Sequence, residues 1–353
     1  MRKESLQFLK DLIAAPSPSG FEQPAQRVVR ARMEEFADEI TTDVHGNVVC
    51  VKNPDCEFRV MLAGHVDQIG FIVRHINDDG FIYASAIGGI DASIVPGSRV
   101  VIHGKDGPVP GVYGRKAIHL LKSEERGKKV DLDKLFIDIG AKDKEAAEKL
   151  VSVADPVTFD APFQELDGDL VAAAGFDDKM GTFVVMEALR ILADREIPCG
   201  LHAVSTVQEE IGLRGAQTSC YCINPAAGIA VDVTHASDYP GCDKTKQGDV
   251  KVGGGPVIAR GPNINPVMGE LLQETAEEKG ISVHVAAAAR GTGTDANVMQ
   301  LTRAGVATGL VSVPNRYMHT PVEVISLTDL ENAAKLIAES VMKIGPDVDF
   351  TPM

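Results

Sequence analysis

The 353-residue sequence predicts an α/β chain in which helices pack around a mixed sheet and a small β-rich segment is inserted. Three observations carry this. Apolar runs of strand length alternate with amphipathic helical stretches near the N-terminus and again after residue 170. Between about residues 70 and 163 that alternation gives way to short β-like runs separated by Gly and Pro. Several apolar runs stop in Asp, Glu or His, as strands do at the ligand-binding edge of an open α/β sheet.

Residues 4–14 place Leu6, Leu9, Leu12 and Ile13 on one helical face. Pro16, Pro18 and Gly20 form a turn, and residues 24–36 predict a second helix with Val28, Val29, Met33 and Phe36 apolar. A turn at 43–47 leads into strands at 48–52 and 58–63, the latter running into His65 and Asp67. In the insert, strands are expected at 71–74, 81–83, 99–103 and 112–113, and a short helix at 142–150. The basic run 122–129 reads as a solvated loop. The ends of such an insert should lie close together.

After residue 170 the alternation resumes. Asp177 and Asp178 open a long helix reaching 192. Strands are expected at 200–207, 228–233, 281–288 and 306–313, and helices at 264–279, 295–303 and 327–344. Gly280 stops the first of these helices.

Hydrophobic residues make up 44% and charged residues 24%, which is ordinary globular composition. A net charge of −15 argues against nucleic acid and anionic membrane surfaces as partners. The six cysteines form no CxxC pair, so they read as reduced thiols of a cytoplasmic protein. The N-terminus lacks the apolar region of a signal peptide, and no stretch has the length of a membrane span.

The chemistry lies in the residues that end the apolar runs. They are His65 and Asp67, Asp177 and Asp178, Glu209 and Glu210, Asp232 and His235, and His319. Each alone reads more readily as a core histidine, a helix-start carboxylate, a turn cap or a surface loop residue than as a metal ligand. Jointly they suggest something else, because strand ends of an open sheet converge on one edge. Several carboxylates and imidazoles together cannot ionise without compensating positive charge. Divalent metals supply it, and mixed His and carboxylate donors suit zinc, cobalt or manganese. His65 and Asp67 are two apart, so on a strand both point one way and Asp67 can hold the second imidazole nitrogen. The GTGTDA segment at 291–296 matches a dinucleotide loop. The next strand lacks the acidic residue that a ribose needs, so the loop is read instead as holding substrate backbone near the site.

Five motifs carry a resemblance: AGHVDQIGF at 63–71, GFDDKMG at 175–181, VQEEIGLRGA at 207–216, AVDVTH at 230–235 and YMHTP at 317–321. In this order, across nearly the whole chain, they resemble the M42 family of metalloaminopeptidases, the tetrahedral aminopeptidases of glutamyl, leucyl and lysyl type. Gln68 stands where many members have Glu. The resemblance implies a zinc-peptidase-like catalytic domain from residues 1–69 and 164–353, and a PDZ-like or barrel-like dimerisation domain at 70–163. It implies two divalent metal ions per subunit, zinc or cobalt. Asp177 would bridge them, His65 and Asp232 would complete one site, and Glu210 and His319 the other. Glu209 would be the general base, Asp67 would orient His65, and the Asp177–Asp178 peptide would be cis. The implied substrates are peptides with a free N-terminus, and the implied assembly is a homo-oligomer, dimers forming a tetrahedral dodecamer. Two rival readings are a carboxylate-pair glycosidase, since some relatives carry an endoglucanase label, and a non-catalytic, metal-dependent scaffold.

Overall fold

The structure, a computed structural model, describes residues 1–125 and 127–353. Helices α1 (Lys3–Ala14) and α2 (Gln23–Met33) lead into strands β1 (Glu39–Thr42), β2 (Val48–Lys52) and β3 (Arg59–His65). Strands β4 (Gly70–Ile76), β5 (Ile82–Ile87), β6 (Arg99–Gly104), β7 (Gly107–Gly114) and β8 (Phe136–Asp138) follow, then helix α3 (Lys144–Glu148) and strand β9 (Pro156–Phe159). Next come β10 (Gln164–Glu165), β11 (Leu170–Ala173), α4 (Phe176–Leu192), β12 (Gly200–Thr206), α5 (Arg214–Ile223), β13 (Ala227–His235) and α6 (Lys244–Gln247). The chain closes with β14 (Val257–Arg260), α7 (Pro266–Lys279), β15 (His284–Ala287), α8 (Ala296–Met299), β16 (Ala307–Asn315), β17 (Glu323–Ser326) and α9 (Leu327–Val341).

The expected mixed sheet is eight-stranded, in the order β1-β2-β12-β3-β13-β16-β14-β15. Its centre, β12-β3-β13-β16, is parallel, so those four strands end at one edge. Register matters here. His65 pairs with Thr206, and Ala63 pairs with Ala230. Two residues further along each strand, His65 and Asp232 therefore reach the same level.

Both sheet faces are buried, which explains the nearly unbroken apolar run of β3. Its side chains alternate between two cores. Val60 and Leu62 pack with Met180, Phe183 and Leu189 of α4 and Leu330 and Ile337 of α9. Met61 and Ala63 pack with Ala216 and Cys220 of α5 and Met299 of α8. Gly64 lets α4 come in close: a Cβ there would stand 2.5 Å from the Gly181 carbonyl carbon. A larger residue would push the start of α4, and Asp177 with it, away from the strand ends.

The insert closes into a six-stranded barrel, β4-β5-β8-β7-β6-β9. Its first and last strands pair with each other, Phe71 opposite Val157. The barrel has its own core of Phe71, Ile82, Ile102, Tyr113, Ile137 and Val157. Phe71 centres it, with ring centroids 5.1 Å from Tyr113 and 5.4 Å from Phe159.

Three expectations need correction. The helix expected at 295–303 holds only over Ala296–Met299; beyond it the chain tightens into a turn, the Thr302 N–H donating to the Met299 carbonyl at 3.1 Å, and Arg303 is left-handed at φ 53°. The strand expected at 281–288 shortens to His284–Ala287. Gly280, at φ 62°, ends α7, and the Ile281 N–H closes back on the Ala276 carbonyl at 2.9 Å. Strand β3 stops at His65, so Asp67 lies past the strand and does not follow its alternation. The basic run 122–129 includes Arg126, which lies outside the described residues. Among the described residues no helix is long and apolar enough to cross a membrane.

Candidate metal centre

The ends of β3, β12 and β13, the start of α4 and the loop before β17 meet at one cleft. It encloses about 450 Å³ and is lined by His65, Asp177, Glu209, Glu210, Asp232 and His319, among others. The site residues named from the sequence are thus brought together. Asp67 sits directly behind them, fully buried. His235 reaches the rim and is exposed.

Asp177 stands between the two imidazoles. Its Oδ1 is 3.3 Å from His65 Nε2, and its Oδ2 is 3.2 Å from His319 Nε2. Glu209 Oε2 lies 3.7 Å from His65 Nε2, and Glu210 Oε2 lies 3.6 Å from His319 Nε2. Asp177 is aimed this way because the first residues of α4 are not helical. Asp177 and Asp178 have ψ 104° and 38°, and the peptide between them is cis. Asp178 turns inward instead, its carboxylate accepting the N–H of His65 at 3.2 Å and of Gly181 at 3.1 Å.

Both rings are set in the tautomer that a metal ligand needs. His65 Nδ1–H donates to the Asp67 carbonyl at 3.0 Å. His319 Nδ1–H donates to the Gly89 carbonyl at 2.8 Å. Each Nε2 therefore faces the carboxylates, where it shares a proton with Asp177 and would offer its lone pair once a cation replaced that proton; a carbonyl holding the far nitrogen is a common support for a ligating histidine. Asp67 holds His65 through its backbone. Its carboxylate stands 3.4 Å from Nδ1 and instead accepts the N–H groups of Glu209 at 3.0 Å and Glu210 at 3.2 Å.

The electrostatics match an anionic pit. Burial pushes the Glu209 carboxyl up to about 10, with His65 opposing and Asp232 adding to the shift. Burial likewise raises Glu210 to about 8 and lifts Asp232 and Asp178 well above the carboxylate range. Asp177 is the exception: burial raises it, but hydrogen bonds from His319 and His65 outweigh that and hold it below its ordinary value. His65 loses by burial yet is held well above the usual imidazole range by Glu209, Asp177 and Asp67. The Asp177 hydrogen bond, against an opposing burial effect, lifts His319 to about 9. Such a set calls for positive charge.

Two donor groups among the described residues can each hold an ion: His65, Glu209 and Asp232, and Asp177, Glu210 and His319. Within each, one donor atom per residue lies within 4.8 Å of the others. Glu210 Oε1 is buried without a hydrogen-bond partner, a costly state for a carboxylate oxygen unless a cation meets it. Imidazole and carboxylate donors fit zinc or cobalt.

Sequence reasoning missed the supports around this cluster. Glu323 is fully buried and accepts the Asp177 N–H at 3.2 Å and the His319 N–H at 3.1 Å. Burial and the nearby Asp177 charge raise its carboxyl to about 8. Ser19 Oγ–H donates to Asp67 at 2.7 Å. Asp295 accepts the Thr206 hydroxyl at 2.6 Å. Gly88 and Gly89, between β5 and the next turn of the insert, press against Glu210 and His319, leaving 3.2 Å to each from a Cβ position. Gln68 accepts a hydrogen bond from Lys179 Nζ at 2.5 Å, and that ammonium is fully buried. Only the repeated Gly88-Gly89 pair offered a signal, as a place where backbone approaches another group closely.

A family model described as M42 glutamyl aminopeptidase matches residues 46–336. The lysyl aminopeptidase of Pyrococcus furiosus is 37% identical over 349 residues, covering 98% of this chain and 99% of that protein. The crystal structure of a TET aminopeptidase from a marine sediment archaeon of the Thaumarchaeota superposes with a TM-score of 0.93 at 33% identity, covering 98% of each chain. The TET1 peptidase of Pyrococcus horikoshii, described as assembling into a tetrahedron or a large octahedral shell, superposes with a TM-score of 0.87 at 30% identity. That match covers 96% of this chain and 100% of the other.

Proposed function

The chain belongs to the M42 glutamyl aminopeptidase family, and from that membership we propose a dinuclear-metal aminopeptidase that uses Glu209 as general base. The observation that carries this reading is Asp177, with one oxygen toward each Nε2 of His65 and His319. His65, Asp177 and Asp232 would hold one ion, and Asp177, Glu210 and His319 the other. Zinc or cobalt bound there supplies Lewis acidity for activating water and the scissile carbonyl.

The residues supply the rest. Glu209 lies beside His65 at the cleft wall, 8% exposed. Its carboxylate takes a proton from water as the oxygen attacks the carbonyl carbon. It then returns that proton to the leaving amine nitrogen as the C–N bond breaks. The cleft's carboxylates attract the substrate's free α-ammonium group, which limits cleavage to the N-terminal residue. A glycosidase would need two opposed carboxyl groups and has no use for two imidazoles that converge on one carboxylate.

In the same reading, residues 1–69 and 164–353 form the catalytic domain and 70–163 the dimerisation domain. The separate barrel core supports that division. We read the assembly as dimers forming a tetrahedral dodecamer; likeness to the Pyrococcus horikoshii peptidase, described as assembling into a tetrahedron or a large octahedral shell, supports a homo-oligomer. Six free cysteines support a cytoplasmic location.

The test is hydrolysis of aminoacyl-p-nitroanilides and their N-acetylated forms, before and after chelation and metal return. The expected result is cleavage of free-amine substrates alone, lost to chelator and restored by zinc or cobalt. Cleavage that survives complete metal removal would refute the dinuclear mechanism.

A further inference from the structure

The family model is glutamyl in description and the Pyrococcus furiosus relative is lysyl. The cleft of this chain has the features of neither. If the substrate's amine and scissile carbonyl sit at the donor cluster, its first side chain must lie against the rest of the lining. Apart from His235 at the rim, that wall is Leu213, Val233, Thr234, Thr292, Thr294 and Met318 with two glycines, and none of these is charged.

An acidic side chain would need a cation there. Among the described residues lining the cleft there is no lysine or arginine. The cation of the His319 loop, Arg316, is already held by both oxygens of Asp238, at 2.8 and 2.6 Å. A glutamate would thus meet no fixed cation, only the rim imidazole of His235, beside a floor of four carboxylates. A basic side chain would need a free carboxylate. Each carboxylate lining the cleft belongs to the donor cluster. Asp295, behind Thr294, is fully buried and does not line the cleft. A charged side chain brought in without a partner is costly.

The two threonine hydroxyls of the 292–294 loop are engaged. Thr292 and Thr294 share a hydrogen bond of 2.8 Å between their hydroxyls, and Asn263 donates to Thr292 at 2.9 Å. Their hydroxyls are thus paired within the protein and request little from a substrate. Val233 follows Asp232 on β13 and so turns to the opposite face, into the core with Val231; the apolar surface beside the donor cluster comes from Leu213 and Met318, both half-buried.

We infer that this enzyme removes uncharged aliphatic N-terminal residues, leucine and methionine above all, and discriminates against both acidic and basic ones. The inference rests on the aminopeptidase reading of this cleft. His235, exposed at the rim, is the one ring outside the cluster that a substrate carboxylate could meet.

The experiment measures kcat/KM of the cobalt-loaded full chain on Leu-, Met-, Glu-, Asp-, Lys- and Arg-p-nitroanilide. Leu and Met should exceed all four charged substrates by about tenfold or more, the scale that pocket contacts give. Thr234→Arg should raise the Glu-to-Leu ratio about tenfold, and His235→Gln should leave that ratio within about threefold. A wild-type preference for Glu or Lys over Leu overturns the inference and leaves the aminopeptidase reading intact. An unchanged ratio in a folded, active Thr234→Arg enzyme overturns the assignment of this wall. Cleavage of no panel member overturns both readings.

Discussion

The carboxylate of Asp67 receives the backbone N–H of Glu209 at 3.0 Å, and that of Glu210 at 3.2 Å. The residue before them is held too. Glu22 Oε1 accepts the N–H of Gln208 at 3.2 Å, and Gln208 is left-handed at φ 56°. Three successive N–H groups are therefore tied to two carboxylates rooted outside β12. This fixes where the Glu209 and Glu210 side chains start.

Weakening that anchor should slow turnover more than it weakens substrate binding. Ser19→Ala removes the hydroxyl that donates to Asp67 and should lower kcat about fivefold, the loss of roughly 1 kcal/mol. Asp67→Asn removes the charge that holds both N–H groups and should lower kcat about 10- to 100-fold, from the strength of charged hydrogen bonds. KM should stay within about threefold in both. An equal fall in activity and in melting temperature, with kcat per folded molecule unchanged, would mean that the network serves stability alone.

Glu209→Gln separates two roles that geometry leaves adjacent. The carboxylate lies within reach of His65 and Asp232 as a donor and at the cleft wall as a base. The base role predicts a kcat loss on the order of 10²- to 10⁴-fold with metal content per chain unchanged by elemental analysis. A stoichiometric loss of one metal would assign Glu209 to the ligand set.

His202 should make the protein acid-sensitive. It sits on β12 between Val51 of β2 and Met61 of β3, and neither ring nitrogen has a partner. Burial, aided by the Arg59 charge, lowers its pKa to about 4 from 6.5. Above pH 6.5 the ring is neutral folded and unfolded, so it has no effect. As pH falls from 6.5 toward 4, only the unfolded chain takes the proton, and stability drops. The loss should reach about 2 kcal/mol, allowing for partial solvent access. His202→Leu should remove that part of the slope. Urea midpoints of both metal-free proteins at pH 7 and pH 4.5 measure it, and parallel losses in the two would disprove it.

The positions of the cluster were legible because of where polar residues stop apolar runs. A shared site could be anticipated because strand ends of an open sheet converge on one edge; the common level of His65 and Asp232 came from the register of β3 and β13. The cluster's supports were not legible. Ser19 reads as one more turn residue, Glu22 as a surface acid before a helix, and Glu323 as part of an ordinary loop. Each gains its role only from a partner far along the chain, Asp67, Gln208 or Asp177. Asp67 shows the limit of spacing arguments. A separation of two residues implied a shared strand face, but β3 ends at His65, and the side chain turned to Glu209 instead.

By itself the sequence determined the alternation of strands and helices, the β-rich insert, and the list of residues able to bind a cation. Apolar periodicity and the chemistry of Asp, Glu and His are local properties, and they can be read locally. Tertiary structure alone decided which atoms face which. The parallel register of β3, β12 and β13, the close contact of Gly64 with α4 and the carbonyl of Gly89 from the insert turned two imidazoles toward Asp177. It also decided that the wall beside them carries no lysine, arginine or carboxylate outside the donor cluster. Those outcomes depend on distances between segments more than a hundred residues apart in sequence, and such distances are properties of packing rather than of any stretch of chain.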